Sequence, residues 1–452
     1  MIMRQINFQE DKFAIIGAGE TGRSIYRYLK YRKANILNVL DTRENPPAFI
    51  DNADVIGGKL DYKHLEAASV VVISPGVSIY EPAIQKALAN NKLVVGDIEL
   101  FAQQISTWDS KVIGITGSNG KTTVTSLTGF LAAEIGVKTL VAGNIGTQVL
   151  DALISIEEAG NYPELIVLEL SSFQLETTYS LMLDSATVLN ISEDHLDRYR
   201  DLLEYAYAKA NIFNNCKVQI LNLDDQLVMA MSRSNLQQTF FASEKAEYSL
   251  IQNDQGVFLA INNSPVLDTR KLQLVGRHNY QNSLASLALL IACGYKLEML
   301  LDPLTRFAGL EHRMQKIAEA NDIIYIEDSK GTNVGAVIAG VSGIDRPVHL
   351  ILGGDGKGQD FSPLRQMVEH KCKSVALIGQ DANKIAEVLA GLPNIIKYPS
   401  LEDAVAACHK NAVAGDAVIL SPACASWDMF TNYKHRAQVF SDTVYALIQK
   451  NT

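Results

Sequence analysis

The stretch Val112-Ile113-Gly114-Ile115-Thr116-Gly117-Ser118-Asn119-Gly120-Lys121-Thr122-Thr123 runs a short apolar strand into a glycine turn and then into a helix-forming segment. Backbone N–H groups of such a turn, together with the N-terminus of the helix, converge on one point and suit an anion. From there Lys121 can reach the outer phosphates of a nucleotide, and the Thr122 hydroxyl can meet Mg²⁺. The common G-x-x-x-x-G-K-[ST] spacing is not met, so the loop is a compact variant. A plainer reading is a tight turn with an exposed lysine. The strand ahead of the loop and the Lys-Thr-Thr behind it favour phosphate.

The same strand, glycine turn and helix recur. Phe13–Ile16 precedes Gly17-Ala18-Gly19-Glu20-Thr21-Gly22, and His349–Leu352 precedes Gly353-Gly354-Asp355-Gly356-Lys357-Gly358. Further strands are legible at Asn35–Leu40, Val70–Ser74, Leu165–Leu170, Ala186–Asn190, Lys217–Leu221, Val375–Ile378 and Ala417–Leu420, with helical patterns between most of them. That alternation predicts α/β architecture with largely parallel sheets. Over 452 residues the three turns predict three domains, with boundaries at 1–99, 100–309 and 310–452. The stretch Asn222–Val275 reads as shorter strands and turns within the middle domain.

Forty basic residues against fifty acidic ones give a net charge of −10, and no basic stripe is present, which argues against a nucleic-acid partner. Five scattered cysteines without a CxxC pair read as reduced thiols. The polar N-terminus does not read as a signal peptide, and no apolar run approaches the ~18 residues of a membrane span. A cytoplasmic protein without membrane insertion is expected.

Several other segments carry chemistry. Gly17–Gly22 with Asp41 after the next strand matches a dinucleotide fingerprint, a weak signal by itself that also suits helix–strand packing. Glu169 ends an apolar strand, where an acid needs a partner such as Mg²⁺ or else simply faces solvent. Glu193-Asp194-His195-Leu196-Asp197-Arg198-Tyr199 suits a phosphate or metal site and equally an exposed loop. Lys209 falls on the apolar stripe of Leu202, Ala206 and Phe213. Most such lysines snorkel to water, whereas one held in apolar surroundings is disfavoured as ammonium and becomes open to chemical modification. Asn279 and Asn282 share a helix face and either cap the helix or read a base. Cys424 reads as a small buried thiol.

Taken together, GSNGKTT, the Glu169 strand end, HLDRY, GRHNYQN, EHR and DSKGTN resemble the bacterial Mur ligases. GAGETGRS, DTRENPP, LELSSFQLE and LSPACASWDMF resemble the branch that adds D-glutamate. The resemblance covers nearly the whole chain. It implies a Rossmann-like N-terminal domain for the UDP end of the substrate, a central P-loop ATPase-like domain, and a Rossmann-like C-terminal domain for the amino acid. The activity implied is ATP-dependent ligation of D-glutamate to UDP-N-acetylmuramoyl-L-alanine through an acyl phosphate. It serves peptidoglycan precursor synthesis and hence cell wall biogenesis, cell shape and division.

The resemblance also implies roles. Gly117, Ser118, Asn119, Gly120, Lys121, Thr122 and Thr123 would cradle ATP, with Asn279, Arg313 and Asp328 contacting its adenine, phosphate and ribose. Thr122, Glu169, His195 and Lys209 would hold Mg²⁺ at two sites, Lys209 as a carbamate. Thr21, Asp41, Thr42, Arg43, Ser74 and Gly76 would take the uridine diphosphate, and Asn144, Ser171 and Gln174 the sugar and lactyl path. Lys330, Thr332, Lys357, Ser426 and Tyr433 would take D-glutamate, Tyr433 standing where phenylalanine is expected. Closure of the domains around the acyl phosphate is expected, as is a monomer. Competing readings are another amide-forming relative such as folylpolyglutamate synthase, an NAD-dependent oxidoreductase, and a nucleotide-sensing module without turnover.

Overall fold

A computed structural model describes residues 4–192, 198–242, 244–274 and 276–450. Three sheets follow one another along the chain. In the first, β1 (Lys12–Ile16), β2 (Asn35–Asp41), β3 (Val55–Gly57), β4 (Val70–Ile73) and β5 (Leu93–Val95) lie in the order β3-β2-β1-β4-β5. All its pairings are parallel. The order reverses between β1 and β4, and ligands of open α/β sheets bind at such a switch point. Central strands such as β4 are buried along their whole length, which is why they read as continuous apolar runs instead of alternating ones.

The second sheet contains β6 (Lys111–Thr116), β7 (Thr139–Gly143), β8 (Leu165–Glu169), β9 (Leu183–Val188), β10 (Cys216–Asn222), β11 (Gln237–Ala242), β12 (Tyr248–Asn253), β13 (Gly256–Ile261) and β14 (Ser264–Asp268). Its order is β14-β13-β12-β11-β10-β9-β6-β8-β7. The third holds β15 (Gln315–Ala320), β16 (Ile323–Glu327), β17 (Val348–Gly353), β18 (Cys372–Ile378), β19 (Ile395–Lys397) and β20 (Ala417–Leu420), ordered β15-β16-β20-β17-β18-β19. It is parallel except at β15, an antiparallel edge strand. The α/β class, the parallel sheets and the three glycine turns agree with the sequence. The half-polar edge strand β15 and the short strands β3, β5 and β19 carry too little apolar signal to be read from it.

By packing, the chain forms two compact units. One comprises Met1–Ser249, Ala260–Ser264 and Leu284–Pro303; the other comprises Leu250–Leu259, Pro265–Ser283 and Leu304–Thr452. Within the first unit, sheets one and two share a single hydrophobic core running from Phe13, Ile25 and Val70 through Leu150 to Ile166 and Leu183. Each fully buried Leu or Ile in it contributes roughly 1.5–3 kcal/mol. Ion pairs Arg27–Asp151 and Arg32–Glu157 join helix Glu20–Tyr31 to helix Val149–Ala159 across the same seam. No helix among the described residues is long and apolar enough to cross a membrane.

Candidate active site

In the first unit, a cavity of about 460 Å³ opens at the switch point of the first sheet. Thr21, Asp41, Thr42, Arg43, Ser74, Gly76, Asn144 and Gln174 all line it, so residues up to 153 positions apart in the sequence meet in one place (174 − 21). The glycines make it possible. A Cβ on Gly22 would stand 1.7 Å from the Gly17 carbonyl oxygen, so the helix can start this close to the turn only without a side chain there. Asp41 braces the turn. Its carboxylate accepts from the Ala18 N–H (2.7 Å) and from the Arg43 N–H, Nε and Nη2 (2.9, 2.7 and 2.7 Å). The Arg43 guanidinium, more than burial, sets its acidity and holds the carboxyl down at about 2. Thr21 donates to Gln148 Oε1 at 3.1 Å, tying the first helix to the turn before Val149.

Ser171 stands apart from this wall. It caps helix Ser172–Leu175 in a reciprocal capping box with Gln174, and so orients the Gln174 backbone while Gln174 itself reaches the cavity. Ile145, Gly146 and Gln148 also line the cavity but escaped sequence reading. The turn Gly143-Asn144-Ile145-Gly146 after β7 was the available signal.

The cavity continues to chemistry through Asn144, whose amide donates to Glu169 Oε1 at 2.9 Å. Glu169 ends β8 beside Ile115 of β6 and Gly143 of β7, and is 2% exposed. A Cβ on Gly143 (φ +109°) would sit 2.1 Å from the Glu169 carbonyl oxygen, so the two strand ends can close only with glycine there. The second carboxylate oxygen, Oε2, is buried and has no hydrogen-bond partner among the described residues. An orphaned buried carboxylate oxygen is costly and calls for a cation.

The glycine loop Gly117–Gly120 follows β6 and opens helix Lys121–Glu134, whose first N–H groups have no intrahelical partner. It is stapled to the segment after β9. Ser118 N–H donates to the Asn190 carbonyl, Asn119 N–H donates to Asn190 Oδ1, and Ser192 N–H donates to Ser118 Oγ (2.9, 2.8 and 2.9 Å). Lys121 Nζ donates to the Gly117 and Ser118 carbonyls (2.8 and 2.9 Å), curling over the loop. Lys209, in helix Leu202–Ala210, does not snorkel. It is 1% exposed, and its Nζ donates to the Gly117 carbonyl at 2.9 Å and lies 4.6 Å from the Tyr205 ring centre.

Glu169, with an open oxygen at the end of the strand paired to β6, is a donor type that suits Mg²⁺ beside a nucleotide, since that ion takes few protein oxygens and keeps waters and phosphate oxygens. Among the described residues no group of three or more His, Cys, Asp or Glu forms a dedicated metal cage. His195 lies outside the described residues.

In the second unit a pocket of about 460 Å³ is lined by Thr332, Lys357, Ser426 and Tyr433, with Asp355 and Trp427 at its side. Lys330 Nζ stands 5.3 Å from the Tyr433 ring centre. The strand-end loops that form the pocket are locked together, because Asp355 and Ala425 exchange backbone hydrogen bonds (3.0 and 2.8 Å). Arg436, fully buried, donates to the Cys424 and Ser329 carbonyls (3.1 and 2.9 Å). Sequence reading missed Arg436, which sits one helical turn behind Tyr433 with no motif around it. Asp328 accepts from Ser421 Oγ (2.5 Å) and the Met314 N–H (3.1 Å), and burial pushes its carboxyl up to about 7. Asn279 is buried and accepts from Asn282 at 3.3 Å. Cys424 is a buried thiol pushed up to about 12 by burial.

Sequence profiles for a MurD-like Mur ligase N-terminal domain, a Mur ligase middle domain and a Mur ligase glutamate ligase domain match residues 11–96, 115–290 and 312–424. The UDP-N-acetylmuramoylalanine–D-glutamate ligase of Chromobacterium violaceum is 48% identical over 444 residues, covering 96% of this chain and 97% of its own. That of Nitrosomonas europaea is 45% identical over 463 residues, covering 98% of each. Among solved structures, MurC of Thermotoga maritima (TM-score 0.56, 17% identity, 97% of this chain and 100% of its own) and MurF of Acinetobacter baumannii (0.57, 16%, 96% and 90%) share the fold. With three profiles in order and relatives close to half identical end to end, this chain belongs to the Mur ligase family.

Proposed function

We propose that the chain is an ATP-dependent ligase that joins D-glutamate to UDP-N-acetylmuramoyl-L-alanine, releasing ADP and phosphate, in the cytoplasmic synthesis of peptidoglycan precursor. One observation carries the reading. Asn144 lines the nucleotide-sugar cavity and also holds Glu169, so the far end of that cavity adjoins the carboxylate beside the phosphate loop. A substrate lying in the cavity would present its carboxylate there.

The substrate carboxylate attacks the γ-phosphorus of ATP, the bond to the ADP oxygen breaks, and an acyl phosphate results. The amine of D-glutamate then attacks the acyl carbon, phosphate leaves with its electron pair, and the nitrogen loses a proton as the amide forms. Phosphoryl transfer of this kind depends on positioning and charge neutralisation. In our reading Lys121 turns from the Gly117 and Ser118 carbonyls to the phosphate oxygens, while Ser118, Asn119, Gly120 and Thr123 present the loop and helix N-terminus. Thr122, Glu169, His195 and Lys209 would hold Mg²⁺ at two sites, where it would supply neutralisation of charge on the phosphates. Lys209 serves as a carbamate, supported by its enclosure and by the single N–H a carbamate keeps for the Gly117 carbonyl. Asn279, Arg313 and Asp328 take the rest of ATP, and Lys330, Thr332, Lys357, Ser426 and Tyr433 take D-glutamate. Domains at 1–99, 100–309 and 310–452 and a monomeric state complete the proposal.

Phosphate release from ATP and Mg²⁺ with UDP-N-acetylmuramoyl-L-alanine, across a panel of amino acids, tests it. Release should require D-glutamate and ignore L-glutamate, L-alanine and diaminopimelate. Dependence on another amino acid would overturn the assignments in the second unit, and no turnover with any acceptor would overturn the ligase reading.

A further inference from the structure

We infer that Arg198 is a positioning residue for the nucleotide-sugar substrate: its guanidinium straps the cavity wall at Pro75–Val77 to the helix turn at Glu176. The inference rests on the functional reading above, because it takes the cavity as the UDP-substrate site. Arg198 Nη1 donates to the Pro75 carbonyl at 2.7 Å, and Nη2 donates to the Val77 carbonyl at 3.1 Å and to Glu176 Oε2 at 2.7 Å. Its side chain is 10% exposed and that of Glu176 is 9% exposed, so the pair is nearly buried. The guanidinium also stacks on Phe173, 4.0 Å from the ring centre.

Three acceptors on two different elements and one aromatic face use the planar fork that arginine has and lysine lacks. Pro75 and Val77 both line the cavity and flank Gly76, so fixing their carbonyls fixes the wall. Glu176, at the end of helix Ser172–Leu175, sits two residues after Gln174, which lines the same cavity. One side chain thus sets the spacing of two walls contributed by different sheets.

The strap also extends toward the phosphate loop. Tyr199, next in the chain and buried, packs between Phe173 (5.9 Å between ring centres) and Tyr205 (5.4 Å), and the Tyr205 hydroxyl lies 3.3 Å from Ser118 Oγ. An ion pair this buried is poor evidence for stability alone, since desolvation of both charges offsets their attraction. Its geometry is better explained by what it holds in place.

The test compares Arg198→Lys and Arg198→Ala with the wild type, titrating UDP-N-acetylmuramoyl-L-alanine by calorimetry without ATP and measuring KM and kcat for all three substrates. For Arg198→Lys, Kd and KM for the UDP substrate should rise about tenfold, as the loss of one or two charge-assisted hydrogen bonds implies. KM for ATP and D-glutamate should stay within about twofold in the same variant. Arg198→Ala should show the same selectivity with a larger loss. Full rescue by lysine would mean that the charge alone matters, and equal losses for all three substrates would mean general destabilisation; either overturns the inference. If Arg198→Ala does not fold, the lysine variant decides alone. A wild-type protein that does not bind the UDP substrate would instead overturn the functional reading.

Discussion

Glu169 at the end of β8 and Asp328 just past the end of β16 occupy equivalent places on two different sheets, yet they use their oxygens in opposite ways. Glu169 gives one oxygen to Asn144, and among the described residues the other is buried and unbonded. Asp328 gives one oxygen to Ser421 and the other to the Met314 N–H, and its backbone carbonyl accepts from the Gly331 N–H. A strand end with a buried carboxylate oxygen left open is suited to receive a cation. One whose two oxygens each already accept from its own loops also fixes those loops, and can meet a nucleotide only through its remaining lone pairs. The position of an acid on a parallel sheet therefore does not fix its role; what the neighbouring loops leave unsatisfied does.

The largest effects should fall on the open side of the comparison. Lys121→Ala and Glu169→Gln should each lower D-glutamate-dependent phosphate release roughly 10³-fold, the scale of losing a charge-stabilising contact in a phosphoryl-transfer site. Glu169→Gln should melt within a few degrees of wild type because the Asn144 contact can be kept. Activity near wild type in the glutamine variant would break the contrast with Asp328. Lys209→Ala should lose most activity in the same assay, and Lys209→Glu should recover less than the wild-type rate. An alanine variant with unchanged turnover would remove the carbamate from the account.

A smaller effect is expected in the second unit. Lys357→Ala should raise KM for D-glutamate about tenfold, the loss of one charge-assisted contact to a carboxylate. Calorimetric binding of the UDP substrate should be unaltered, since Lys357 lines a different pocket.

The smallest effect is on stability and has a definite sign. Asp328 rises from an ordinary 3.8 to about 7 in the fold, chiefly by burial, so the native state favours its protonated form. The stabilisation this supplies is complete below 3.8 and is lost as the pH climbs through about 7. Thermal melts of wild type against Asp328→Asn, whose amide stays neutral throughout, should separate toward high pH by a decline of the wild type alone. Asp41, held down at about 2 by Arg43, runs the other way: its contribution is present above 3.8 and fades as the pH falls toward about 2. Parallel melting curves for the Asp328 pair would show that its carboxyl is not held protonated.

Legibility followed the strength of local signals. Strands buried on both faces and followed by glycine turns were readable, as were the residues inside dense motifs: the six residues expected at the uridine diphosphate and two of the three expected along the sugar and lactyl path line one cavity. The family resemblance places Ser171 along the sugar and lactyl path, and in the fold its hydroxyl caps the helix that carries Gln174. A serine before Gln at the third helical position allows either role, and only the cap geometry separates them. Ile145, Gly146 and Gln148 were missed because a short turn has no periodicity. Arg198 falls in a segment whose sequence suits a phosphate or metal site or an exposed loop, and its strapping role is not legible there because two of its three acceptors are backbone carbonyls; Arg436 was missed because both of its acceptors are, and backbone carbonyls leave no trace in side-chain identity.

By itself the sequence determined the three strand-turn-helix repeats, the parallel α/β class and the chemical types gathered at each strand end, because these depend on local hydrophobic pattern and on backbone freedom at glycine. Tertiary structure alone decided that the first two sheets share one core, that Lys209 is enclosed instead of reaching water, and that among the described residues one Glu169 oxygen has no hydrogen-bond partner while both Asp328 oxygens do. The reason is physical. Whether a polar atom finds a partner depends on which distant segments fold against it, and a sequence shows the donors and acceptors without showing which of them meet.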